Sequence, residues 1–124
     1  MSDLLAYLAG GALILWGLAH LAPTKAVADG FGPIGVENRR ILVMEWVAEG
    51  VTHVSVGTLA VLIAVAGYAS GATGDLVYRV LAGMLVALAA LTALTGSRTR
   101  VLWFKACPFV LTGAATLLVL RTVV

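Results

Sequence analysis

The sequence is short of nearly everything that a water-soluble domain needs. Charged residues make up only 11% of its 124 positions, eight basic and six acidic, against 61% hydrophobic. A water-soluble domain of this size carries a polar coat that fourteen charges do not supply. Its mean hydropathy of +1.05 points the same way, and the chain is expected to be integral to a membrane. The single cysteine, Cys107, excludes an internal disulfide and a paired-thiol redox motif. Basic residues are too few and too scattered for a nucleic-acid surface, and a net charge of +2 is better explained by orientation in a bilayer. No strand pattern precedes any of the glycines, so no nucleotide-binding loop is present. Length allows a single domain, residues 1–124.

Against that background the apolar runs define the fold. Four segments, at about 4–22, 41–69, 76–95 and 101–120, predict an all-α bundle of four transmembrane helices with both termini on the same side. The residues before the first run carry Asp3 and no lysine or arginine, the wrong sign for a signal peptide, so this run is expected to be a retained membrane helix. Gly30, Gly32, Pro33 and Gly35 break the connection that follows, and Pro108 is expected to kink the fourth helix. The second segment, 29 residues at about 1.5 Å each, overshoots the hydrocarbon thickness, which places its first turns and Glu45 near water.

Lys25, Arg39, Arg40, Arg98, Arg100 and Lys105 cluster at the end with the first and third loops, against Arg79 and Arg121 at the other. The positive-inside rule then directs the basic end to the cytoplasm of a bacterial membrane and both termini outside. The aromatics follow the same division: Trp16, Trp46 and Trp103 fall toward the basic end, Tyr7, Tyr68 and Tyr78 toward the opposite interface.

Glu45, Glu49 and His53 recur at intervals of four in the second segment and so stack along one helix face. Ionisable groups inside a membrane helix face a partner, a cavity or a substrate path. His20, Trp46 and Lys105, with Cys107, fall at similar depth on neighbouring helices, which predicts a pocket at the basic end. Glu49, His53 and Glu45 are the candidate proton-handling residues; His20, Lys105 and Trp46 are the candidate ligand-binding ones. Three readings stay open. The glutamates can pair with Arg39, Arg40, Arg98 or Lys105 as helix-end salt bridges. A carboxyl group one turn from an imidazole can move protons for an isomerase or a small proton-coupled transporter. Glu49 and His53, with His20 and Glu45 or Cys107, can ligate a metal, although no multi-ligand motif is complete and no cofactor is assigned. Cys107 by itself reads most simply as a small buried residue. The expected partners are the lipid bilayer, a small lipophilic or quinone-like ligand and further copies of the chain; nucleic acid is not among them.

Leu15-Trp16-Gly17-Leu18-Ala19-His20, then Glu49-Gly50 leading into Val56-Gly57-Thr58-Leu59-Ala60-Val61-Leu62, resembles the DoxX-like group of small four-helix membrane proteins. The resemblance covers the first half of the chain. It implies a four-helix bundle and an association with quinone-linked or thiol redox systems; His53, the Glu45/Glu49 pair and Lys105-Ala106-Cys107-Pro108 have no counterpart in it.

The charge count generates a topology test. A C-terminal reporter that is active only outside the cytoplasm should be active, and one fused within the first loop should be silent; the reverse result inverts the orientation.

Overall fold

The computed structural model describes residues 2–124 and consists of five α-helices: α1 (Ser2–Leu21), α2 (Thr24–Gly30), α3 (Val36–Val65), α4 (Ala72–Leu94) and α5 (Leu102–Arg121). A single 3-10 turn, Gly96–Arg98, joins the last two. Four stretches, Asp3–Leu21, Val36–Val65, Ala72–Arg98 and Leu102–Arg121, are long and apolar enough to cross a membrane. The chain is an all-helical membrane protein.

The long helix α3 begins five residues before the apolar run, at Val36, and stops at Val65 rather than at Ala69. Its early start takes in Glu37, Asn38, Arg39 and Arg40, polar residues suited to the headgroup layer; 30 residues span about 45 Å, well beyond the hydrocarbon core. Its end is set by Gly67, at φ 76°, with Gly67 N–H donating to the Ala64 carbonyl and Tyr68 N–H to that of Ile63. These are the paired closing bonds of a Schellman cap, and the left-handed glycine is what permits them. Helix α2 is an addition to the expected four. It occupies the connection between Pro23 and the Gly30–Gly35 stretch, and Pro108 lies within α5.

The four long helices pack as a row bent round on itself: α3 against α1, α1 against α5, α5 against α4, with little contact between α3 and α4. The α1–α3 seam is built on two pairs of glycines. A Cβ added at Gly10 would stand 2.6 Å from the Gly57 carbonyl oxygen, and one at Gly57 2.5 Å from that of Gly10. A Cβ at Gly17 would stand 2.7 Å from the Gly50 carbonyl oxygen, while one at Gly50 would run into the Leu21 side chain at 2.6 Å. Backbones meeting this closely gain dispersion contact that lipid does not provide, which is how small residues hold membrane helices together. The rest of the core is small or aliphatic, with Leu13, Leu85, Leu111 and Leu118 fully buried among alanines.

At the end opposite the basic loops, the buried Arg121 reaches Asp3 at 3.5 Å and Asp75 at 3.8 Å. Each charge sits where the backbone favours it, the carboxylates in the first turns of α1 and α4 and the guanidinium in the last turn of α5. Arg121 also covers the Tyr78 ring, 5.4 Å from its centroid. Tyr78 thus departs from the interfacial position expected of it: it is fully buried and donates its hydroxyl to the Ala60 carbonyl at 3.2 Å. Tyr7 and Tyr68 are exposed.

Gly10→Ala and Gly57→Ala should each lower detergent-phase thermal stability by about 1–3 kcal/mol, because a methyl group there must push a backbone away. Gly11→Ala, Gly83→Ala and Gly113→Ala, whose added Cβ meets nothing within 4 Å, should be neutral or slightly stabilising in the same melts.

Candidate functional site

The site is at the basic end, where α3 and α4 part. A cavity of about 840 Å³ opens there, lined from α1 by Trp16 and His20, from α3 by Trp46 and Glu49, from α4 by Thr92 and from α5 by Trp103, Phe104 and Cys107. That volume suits a single small molecule. It forms within one chain. Helix α2 covers it, presenting Ala26, Val27 and Gly30, with Phe31 just beyond. Trp103 and Phe31, both largely exposed, stand at its mouth.

Its walls are aromatic. All three tryptophans of the chain line the cavity. Trp16 and Trp103 meet at 6.4 Å between centroids, and Trp46 and Phe104 at 5.6 Å, both in tilted arrangements. The residues expected to form an interfacial belt are thus also the walls of a chamber.

His20 is locked against α3. Its ring stacks on Trp46 with centroids 3.9 Å apart, the Trp46 indole N–H donates to the His20 carbonyl at 3.0 Å, and His20 Nε2 lies 3.1 Å from the Trp46 carbonyl. A carbonyl only accepts, so Nε2 carries a proton and Nδ1 is the free nitrogen of the neutral ring. The indole meanwhile satisfies a carbonyl in the last turn of α1, where no later amide is in register. Gly50 makes the approach possible: a Cβ there would lie 2.6 Å from Leu21 Cδ2 and 3.2 Å from His20 Cδ2.

Behind this clamp sits the polar group. Glu49 Oε2 is 3.8 Å from His20 Nε2. His53, one turn further along α3, is fully buried, its ring 6.0 Å from that of His20, and neither of its nitrogens has a hydrogen-bond partner. One donor atom from each of Glu49, His53 and Cys107 lies within 4.8 Å of the other two. An imidazole sealed from water with both nitrogens idle is costly.

Of the residues singled out in the sequence, His20, Trp46, Glu49 and His53 come together here. Glu45 and Lys105 are exposed and do not line the cavity. The expected pairing of the glutamates with arginine or lysine is absent among the described residues, and Arg39 binds Asp29 instead, at 2.5 Å. Cys107 takes the place on α5 that Lys105 was expected to hold. The signal was the stripe Trp103, Phe104, Cys107, three and four apart on one helix face, with Lys105 two residues from the cysteine and on the opposite side. The cover was masked by the glycines that follow it, and the one signal for it was that Ala26, Val27, Gly30 and Phe31 repeat at helical spacing.

No protein-family model matches the chain, and no curated protein or solved structure shows significant similarity to it.

The cover is latched by charge. Arg39 reaches from α3 to the Asp29 carboxylate and, at 3.3 Å, to the Ala28 carbonyl, and Lys25 reaches Asp29 at 2.6 Å. Hydrogen bonds from Lys25 and then Arg39 hold the Asp29 carboxyl below its ordinary value of 3.8. With the folded value depressed, the stabilisation is complete above that ordinary value and is lost as pH falls through the lower folded one. Amide exchange across residues 24–30, corrected for intrinsic rate, should stay slow down to mildly acidic pH and rise only below 3.8. Asp29→Asn should show the fast exchange already at neutral pH.

Proposed function

We propose that this protein is a small membrane receptor for a lipophilic molecule with a polar head, of the quinone class. It would hold the molecule at the cytoplasmic end of a four-helix bundle in a bacterial inner membrane, with both termini outside. The observation that carries this reading is the composition of the cavity: an aromatic chamber of about 840 Å³ in whose lining Glu49 and His20 come within 3.8 Å of each other. Trp16, Trp46 and Phe104 offer aromatic surface to a flat ring in the cavity, and an apolar tail would leave toward lipid between α3 and α4, which have little contact. Glu49 would accept a hydrogen bond or proton from a hydroxyl of the head group in its reduced, quinol form, and His53, directly behind it, would exchange that proton. The DoxX-like resemblance of the first half, with its implied link to quinone or thiol redox systems, agrees with a redox-active guest.

A second reading, an intramembrane acid/base enzyme acting on the same class of molecule, is favoured by the Glu49–His53 adjacency. Turnover lost in both Glu49→Gln and His53→Gln would select it.

Because every tryptophan borders the chamber, its occupancy has a built-in signal. Titration with a short-chain quinone in its reduced, quinol form should quench the intrinsic emission saturably at one per chain. Glu49→Gln should weaken binding about tenfold, as loss of a hydrogen bond to a charged group does. Ala19→Phe, which fills the lining, should abolish it. Unsaturable quenching, or quenching equal in all three proteins, overturns the proposal.

A further inference from the structure

Beyond guest binding, one group in this region is left without any role in the fold. His53 is held in the centre of the bundle with both ring nitrogens unpaired, and it is surrounded on the donor side by a carboxylate and a thiol. Any one of these three side chains alone would be unremarkable, since buried cysteines are common and a membrane glutamate can face a cavity. Together they bring an oxygen, a nitrogen and a sulfur donor from two helices, α3 and α5, to within 4.8 Å of one another.

The structure assigns Glu49, His53 and Cys107 to a site for a divalent transition-metal ion of the zinc class, with the fourth coordination position open to the cavity. Three arguments converge on it. The donor set is borderline to soft: thiolate and imidazole select zinc, cobalt or copper and disfavour magnesium or calcium, which take oxygen alone. The charge balances as well. A carboxylate and a thiolate neutralise a dication and the imidazole stays neutral, so the occupied site has no net charge, the condition that a low-dielectric interior favours. Finally the reach is right. Tetrahedral zinc with bonds of about 2.0–2.3 Å sets its ligands roughly 3.3–3.8 Å apart, so rotation of Glu49 and Cys107 closes the cluster without moving a helix.

The surroundings are those of a metal centre with a vacant position. Glu49 and Cys107 line the cavity while His53 lies behind them, so a molecule in the chamber meets the ion directly. On binding, the Cys107 thiol gives its proton to solvent and the sulfur bonds the ion as thiolate.

The test uses purified full-length protein stripped with a chelator and kept free of quinone. Cobalt(II) should bind at one per chain, giving a thiolate-to-metal charge-transfer band in the near ultraviolet and the intense visible bands of a four-coordinate ion. Zinc should displace it and bleach both. Cys107→Ser should remove the charge-transfer band, and Glu49→Gln should weaken cobalt binding at least tenfold, while Lys105→Gln should leave both signals unchanged. Should His53→Gln fail to fold, the unaltered protein still decides. Zinc should slow alkylation of Cys107 at least tenfold, and equal rates with and without zinc overturn the site. A visible spectrum of six-coordinate cobalt without a charge-transfer band does so too. The outcome is separable from the quinone reading: metal binding without quinone quenching sinks only the guest, and quenching without metal binding sinks only the ion.

Discussion

The fold depends on how closely α1 and α3 can approach. In lipid, an apolar side chain gains nothing by leaving one hydrocarbon surface for another, so the bundle cannot be assembled by hydrophobicity alone. It is assembled by fit. Gly10 against Gly57 and Gly17 against Gly50, each pair's members seven residues from the next along their own helix, let two backbones touch along an antiparallel seam. The seam also sets the depth at which everything polar is placed. With Gly50 against the end of α1, His20 comes to rest on Trp46, and Glu49 and His53 follow at the adjoining positions of the same helix.

The two ends of the bundle solve the problem of buried polarity in opposite ways. At the end with the chain termini, a cation is taken inside and met by two carboxylates and a tyrosine ring, with helix ends of matching polarity around them. At the basic end, polar groups are gathered without being satisfied: among the described residues His53 has no hydrogen-bond partner, and the counterpart to Glu49 within ion-pair distance is a histidine at 3.8 Å. Structural polarity is normally closed on itself. A set of donors left open beside an aromatic chamber is the observation on which the proposed guest and the proposed ion both rest.

Much of the architecture was legible in the sequence, since runs of about twenty apolar residues admit one structure in a bilayer. The spacing of Glu49 and His53 also signalled that they share one face of α3, and the small residues of α1 and α3 signalled close packing. What was not legible depended on which way a helix is turned about its axis. Lys105 and Cys107 are two residues apart, and nothing in hydropathy says which faces inward when lipid and protein interior are equally apolar; the aromatic stripe Trp103, Phe104, Cys107 held that information. The membrane-belt reading of the aromatics failed for Tyr78 for a related reason. A tyrosine at interfacial depth is free to turn inward once a carbonyl and an arginine are there to receive it, as Ala60 and Arg121 are. Helix α2 was hidden by the glycines that follow it, although its apolar face repeats at helical spacing.

The contact between Asp3, Asp75 and Arg121 ties the first turns of α1 and α4 to the last turn of α5 through one guanidinium. Until α5 docks, the carboxylates of α1 and α4 stand uncompensated. An assembly intermediate that lacks this helix therefore exposes two unmatched anions at one end of the bundle, and is chemically distinct from the closed form.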